Sequence, residues 1–223
     1  EHGHVYSYNN QFFFSGYTAD NGQEPWVTDG TAAGTFMLKD VAPGTEDPAW
    51  ILYGIGHDGF VYFITKPDVD PSTNNATATL WKTSGTPAST VSLGLLVEDN
   101  SGQGDDGLTY ADPFRIYNGK VYFFGRQYLG GHELWVTDGT PSGTQHVYSV
   151  NNFAGDYIMY FFDVVDNYLL FYGTADAYPT SVYRSDGTTA GTDQWIHFNS
   201  GGHDLFPRSL TAVGDFLFYG DHD

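Results

Sequence analysis

Aromatic and apolar residues gather in five short runs along the chain. These are Phe12-Phe13-Phe14, Val61-Tyr62-Phe63, Val121-Tyr122-Phe123, Leu170-Phe171-Tyr172 and Leu217-Phe218-Tyr219. A small turn precedes each run: Asn9-Asn10, Asp58-Gly59, Asn118-Gly119, Asp166-Asn167 and Gly214-Asp215. Asn, Asp and Gly tolerate the positive φ that tight hairpins demand, so each turn predicts a pair of antiparallel strands.

The second turn residue sets a ruler. From Asn10 to Trp26, from Gly119 to Trp135 and from Asn167 to Tyr183 the separation is 16; from Gly59 to Trp81 it is 22. From one turn to the next the periods are 49, 60, 48 and 48. A repeat near 48 residues with four short strands is the size of a β-propeller blade. Strand A precedes the turn (Val5–Tyr8, Ile51–Ile55, Phe114–Tyr117, Tyr160–Val165, Ser209–Val213), and strand B is the aromatic run. Strand C carries the Trp or Tyr, and strand D follows a Gly/Ser-Thr pair (Phe36–Asp40, Thr90–Leu93, Gln145–Val150, Gln194–Phe198). The expected fold is therefore all-β: a single propeller domain with blades over 1–47, 48–107, 108–157 and 158–206, and a half-blade over 207–223. The half-blade and the start at Glu1 read as a segment excised from a longer chain, or as a hairpin completed by another molecule.

Between strands C and D the sequence repeats itself. Glu133-Leu134-Trp135-Val136-Thr137-Asp138-Gly139-Thr140-Pro141-Ser142-Gly143-Thr144 has near-copies at Glu24 to Thr35, Thr79 to Thr90 and Ser181 to Thr192. The composition fits strands and turns, with 17 Tyr, 17 Phe and 28 Gly. The formal charge of −19 comes mostly from Asp, which favours turns and ligates calcium. Such a field repels nucleic acid and anionic membrane surfaces. With no cysteine, a disulfide scaffold and thiolate metal sites are excluded. No apolar run approaches the roughly 20 residues of a membrane span.

The repeats resemble the ELWxxDGT repeat of bacterial secreted and cell-surface proteins. Glu133-Leu134-Trp135 with Asp138-Gly139-Thr140 and Gly143-Thr144 carry the likeness, as do Glu24-Pro25-Trp26 with Asp29-Gly30-Thr31 and Gly34-Thr35. Two copies depart from it: Thr79-Leu80-Trp81 has Ser84 in place of Asp, and Ser181-Val182-Tyr183 precedes Asp186-Gly187-Thr188. The resemblance implies an extracellular, propeller-like array and no catalytic residues. The Asp-Gly-Thr turns are also similar to the Asp boxes of sialidase propellers, which makes them turn-formers. Trp26, Trp81, Trp135 and Tyr183 recur once per blade, as packing between blades requires.

In an up-and-down blade the A–B and C–D turns share one face, and the B–C and D–A loops share the other. Both departures from the period fall on that second face, at 66–79 and 95–107. Insertions on one face of a repeat array often mark its binding face. Calcium is the metal to weigh there, with Asp68, Asp70, Asn74, Asp99, Asp105 and Asp106 as candidate ligands. Asp68, Asp70 and Ser72 open like an EF-hand loop, but Thr73 and Thr79 stand where its Gly and Glu belong. His2, His4 and His222 cluster at the termini, where zinc or nickel is a lesser expectation. Asn75-Ala76-Thr77 is a glycosylation sequence.

The candidate ligand-binding residues are Tyr17, Asp20, Asn21, Arg126, Tyr128, His132, Asp176 and Tyr178, all near the insertion face. Aromatic rings with amides and carboxylates hold sugars and peptides. The expected function is a non-catalytic extracellular binding or adhesion module for a glycan or surface polymer, with no required cofactor. The alternative is a self-assembling structural unit that joins head to tail through its half-blade. A glycoside hydrolase or sialidase-like enzyme ranks last: Asp and Glu are plentiful enough for a carboxylate pair, but four arginines do not make the sialidase cluster, and no Gly-x-Ser-x-Gly, His-Glu-x-x-His or phosphate loop occurs.

Overall fold

The structure, a computed structural model, describes residues 5–44, 50–66, 76–99, 114–126, 132–149, 160–174, 180–197, 210–213 and 216–219. These residues form four four-stranded sheets and one two-stranded sheet, every pairing antiparallel. The first sheet is β1 (Tyr6–Tyr8), β2 (Gln11–Thr18), β3 (Gly22–Thr28) and β4 (Phe36–Met37). The second is β5 (Trp50–His57), β6 (Phe60–Lys66), β7 (Ala76–Thr83) and β8 (Val91–Asp99). Next come β9 (Phe114–Tyr117), β10 (Lys120–Arg126), β11 (His132–Thr137) and β12 (Gln145–Ser149). The fourth holds β13 (Tyr160–Val165), β14 (Tyr168–Thr174), β15 (Thr180–Ser185) and β16 (Thr192–His197). The hairpin β17 (Leu210–Val213) and β18 (Phe216–Tyr219) follows. Sheets laid down in chain order, each strand pairing with the next, are β-propeller blades.

Turn chemistry explains the hairpins. Asn9 and Asn10, Asp58 and Gly59, Asn118 and Gly119, and Asp166 and Asn167 all take positive φ, between 46° and 80°. Two successive positive-φ residues match the right-handed twist of the strands they join. The expected turn at Gly214-Asp215 lies outside the described residues.

Two expected loops prove to be partly strand. Ala76 to Thr79 belongs to β7, Leu95 to Asp99 belongs to β8, and the register pairs Ala76 with Asp99. The run Val91 to Val97 carries β-forming residues past the expected end of strand D, so the hairpin continues. Strand D of the first blade is shorter than expected, ending at Met37, although the Leu38 N–H still donates to the Pro25 carbonyl at 2.8 Å.

The chain divides into two compact units, Glu1–Thr109 with Gly139–Thr144, and Tyr110–Asp138 with Gln145–Asp223. The first is built around Phe13, Val27, Ile51, Val61 and Phe63, with Trp81 packed against them. The second is built around Phe124, Leu134, Leu169, Phe171 and Tyr183. In every complete blade the strand C ring lies beside a strand B Phe. Phe14 meets Trp26, Phe63 meets Trp81, Phe123 meets Trp135 and Phe171 meets Tyr183, at centroid distances of 5.4 to 6.5 Å. These rings pack the sheets, and burial pushes the Tyr183 phenol up to about 12.

Candidate functional site

The Asp-Gly-Thr turns spend their polar groups on themselves. Asp29 Oδ1 accepts the Thr31 N–H at 2.9 Å and the Thr31 hydroxyl at 2.7 Å, and Thr31 Oγ1 accepts the Gly34 N–H at 2.9 Å. Asp186, Thr188 and Gly191 repeat the pattern at 2.9, 2.7 and 3.0 Å. Where Ser84 replaces Asp, Ser89 takes over and accepts the Ser84 N–H at 3.0 Å. A side chain at Gly34 would meet the Asp29 carboxylate at 2.0 Å, which is why Gly stands there. These turns are scaffolding.

The opposite end of the first blade is different. At the tip of β2 and β3 the Asn21 N–H donates to Thr18 Oγ1 at 3.1 Å, and Asn21 Nδ2 donates to Asp40 Oδ2 at 3.2 Å. Asp40 Oδ1 is buried and has no hydrogen-bond partner. Behind it Glu24 is 0% exposed, and its two oxygens accept the N–H groups of Val41 at 2.8 Å and Ala42 at 3.1 Å. Burial raises the Glu24 pKa above the usual carboxylate value, and the nearby Asp40 carboxylate adds to the rise; the two N–H donors oppose it. Two carboxylates thus share one end of the sheet, one shut in and one half-buried.

Of the ligand-binding residues expected from sequence, this end holds three. Asn21 joins the carboxylates, and Asp20 is exposed on the turn before it. Tyr17 is 69% exposed, but strand alternation sets it on the other face of the sheet from Glu24. His132 and Arg126 pair in register at the ends of β11 and β10, so His132 lies on a strand and not in a loop. Tyr128, Asp176 and Tyr178 lie outside the described residues, as do Asp68, Asp70, Asn74, Asp105, Asp106, Asn75 and the terminal histidines. Asp99, expected in a loop, sits at the end of β8. Among the described residues no group of three or more His, Cys, Asp or Glu side chains is arranged to hold a metal.

A second polar group, absent from the sequence expectation, stands at the matching place in the third blade. Glu133 Oε1 accepts the Ser149 hydroxyl at 3.1 Å, Ser149 Oγ lies 3.0 Å from His146 Nε2, and His146 sits edge-on to Trp135. Glu24 and Glu133 hold the same position in the repeat, opposite Gly16 and Gly125 of strand B. That shared position was the available signal for both. The Val41 and Ala42 N–H groups that hold Glu24 and the Ser149 hydroxyl that holds Glu133 come from strand D and its continuation, where the repeat is weakest.

No family profile matches the chain, and no curated protein matches it in sequence. Solved structures do match. Zg3597, a family 117 glycoside hydrolase of the marine bacterium Zobellia galactanivorans, is 11% identical with a TM-score of 0.46, over 85% of this chain and 66% of that one. The GH43 endo-arabinanase of Bacillus licheniformis is 14% identical with a TM-score of 0.42, over 99% and 88%. The α-L-arabinanase of Cellvibrio cellulosa is 13% identical with a TM-score of 0.41, over 98% and 86%. The chain shares its β-propeller class with these hydrolases.

This finding corrects the expectation of a non-catalytic adhesion module, together with its self-assembling alternative: the matching proteins named are glycoside hydrolases. Missing arginines count against a sialidase-like site, but they do not bear on glycoside hydrolysis by a pair of carboxylates. At these identities the likeness speaks to fold, and the chemistry rests on this chain's own residues.

Proposed function

We propose that the chain is a carbohydrate-active β-propeller that hydrolyses glycosidic bonds at the loop end of its first blade. The observation that carries this reading is the arrangement of Asn21, Asp40 and Glu24. Hydrolysis of a glycoside takes one carboxyl group to protonate the leaving oxygen and a second to activate water or attack the sugar. Asp40, half-buried and oriented by the bond from Asn21 Nδ2 to its Oδ2, is the carboxylate for the scissile bond. Asp20, exposed on the same turn, is the second. Glu24 does not touch substrate. Fully enclosed, it is a positioning residue whose charge state bears on Asp40. Tyr17 offers an exposed ring beside this end for a sugar to lie against.

Kinship with the ELWxxDGT repeat family and a secreted, extracellular location belong to the same proposal, supported by the recurring Asp-Gly-Thr turns and the −19 charge. No helix among the described residues is long and apolar enough to cross a membrane. The test is release of reducing ends from arabinan, β-1,3-galactan and xyloglucan, with added calcium and with chelator, by the wild type and by Asp40→Asn. Loss of a positioned acid or base lowers turnover about 100-fold or more. Wild-type protein inert on every polymer, or Asp40→Asn as active as wild type, overturns the reading.

A further inference from the structure

Each complete blade places two strand C residues, two apart, on the face where strand C meets strand B. In the third blade these are Glu133 and Trp135, in the second Thr79 and Trp81, and in the first Glu24 and Trp26. The three blades with a Trp differ in how they satisfy its indole N–H, and the first and third differ in how they satisfy the Glu two residues before it. Trp81 Nε1 donates to Thr65 Oγ1 at 2.8 Å, and Thr65 is the strand B residue directly opposite Thr79. In the third blade that strand B position is Gly125, opposite Glu133, and it offers no hydroxyl. There the Trp135 Nε1 donor is buried without a hydrogen-bond partner.

The acceptor side is equally incomplete. Glu133 is 7% exposed, its Oε1 is taken by Ser149, and its Oε2 is buried without a partner. A buried N–H and a buried carboxylate oxygen left unpaired are both costly, and they stand on neighbouring same-face positions of one strand. The first blade shows the contrast: Glu24 gives both oxygens to backbone N–H groups, so it presents no open oxygen toward its indole.

We propose that the third blade binds one internal water, which accepts the Trp135 indole N–H and donates to Glu133 Oε2. This water supplies from solvent the hydroxyl that Thr65 supplies from the chain in the second blade. Water is the ligand class that fits, because it accepts from one group and donates to the other within a buried polar site. The site is distinct from the carboxylates of the first blade, and it stands whether or not those carry out hydrolysis.

The deciding measurement is a crystal structure of the wild-type chain at a resolution that orders internal waters. A solvent peak about 2.7–3.2 Å from both Trp135 Nε1 and Glu133 Oε2 is expected, with Trp81 still bonded to Thr65. A peak bonded to only one of the two atoms overturns the bridge, as does a Glu133 carboxylate turned onto a protein donor. The second variant is Gly125→Ser, which places a hydroxyl where Thr65 carries one. Its serine Oγ should take the Trp135 N–H and the solvent peak should vanish; a peak that persists unchanged beside the serine also overturns the proposal.

Discussion

Trp81 donates its indole N–H to the Thr65 hydroxyl at 2.8 Å, whereas the Nε1 atoms of Trp26 and Trp135 are buried without a protein acceptor. Thr65 is 2% exposed, so Thr65→Val keeps the shape and strands the donor away from water. An unsatisfied buried donor costs about 1–3 kcal/mol. Urea unfolding followed by tryptophan fluorescence should show that loss, and a variant as stable as wild type would remove the assigned role of this bond.

Gly16 is under a steric demand. A Cβ there would lie 2.6 Å from Cδ1 of Trp26. Overfilling a packed site of this kind costs about 1–3 kcal/mol, so Gly16→Ala should lower the unfolding midpoint and shift the Trp26 emission. The double change Gly16→Ala with Trp26→Phe should recover part of the loss, because the smaller ring frees the space.

Glu24 gives the first blade a pH signature. Burial holds its folded pKa above the ordinary 4.5, so the native state keeps this proton to a higher pH than the unfolded chain does. The contribution of Glu24 to stability is therefore full below pH 4.5 and is lost as pH rises through the folded value. Denaturation midpoints of wild type and Glu24→Gln, measured as pH is raised from 4, should differ by an amount that is constant below pH 4.5 and changes above it. Asp193 works in the opposite sense, because hydrogen bonds from Arg184 lower its pKa and their contribution is lost as pH falls. A constant difference between the two proteins would contradict the Glu24 assignment.

Arg184 tests the surface. It reaches Asp193 through two hydrogen bonds, at 2.8 and 3.1 Å, and lies over the Tyr168 ring. Both partners are solvent-exposed, and ion pairs in water contribute little because solvent and salt screen them. Arg184→Ala should leave the unfolding midpoint unchanged within error in physiological salt. A clear drop that persists in high salt would mean that the Tyr168 packing, and not the charge, holds this edge together.

Much of the scaffold was legible because it is written in local chemistry. Phe114–Tyr117 and Tyr160–Val165 were expected as strands with the bounds they have, and the four expected turns among the described residues take the positive φ that their Asn, Asp and Gly allow. The carboxylate partners were not legible, because strand D carries irregular register. Trp135 faces His146, so an even count would set Glu133 opposite Tyr148. A bulge between Leu134 and Trp135 instead brings Ser149 opposite Glu133. Asp40 escaped for a related reason. It lies past the end of β4, where pairing gives no count to follow.

The tyrosine hydroxyls of strand A carry a direction along the chain. In the first unit Tyr8 accepts the N–H of Gly59 at 3.0 Å, and in the second Tyr117 donates to the carbonyl of Asn167. Each bond runs from one blade to the A–B turn of its successor, 51 and 50 residues on. A Phe at either position would leave its own blade's hairpin intact and loosen the turn of the next. The damage would therefore surface as faster amide exchange one blade downstream of the altered residue, so these hydroxyls convert a repeat in sequence into a one-way dependence in folding.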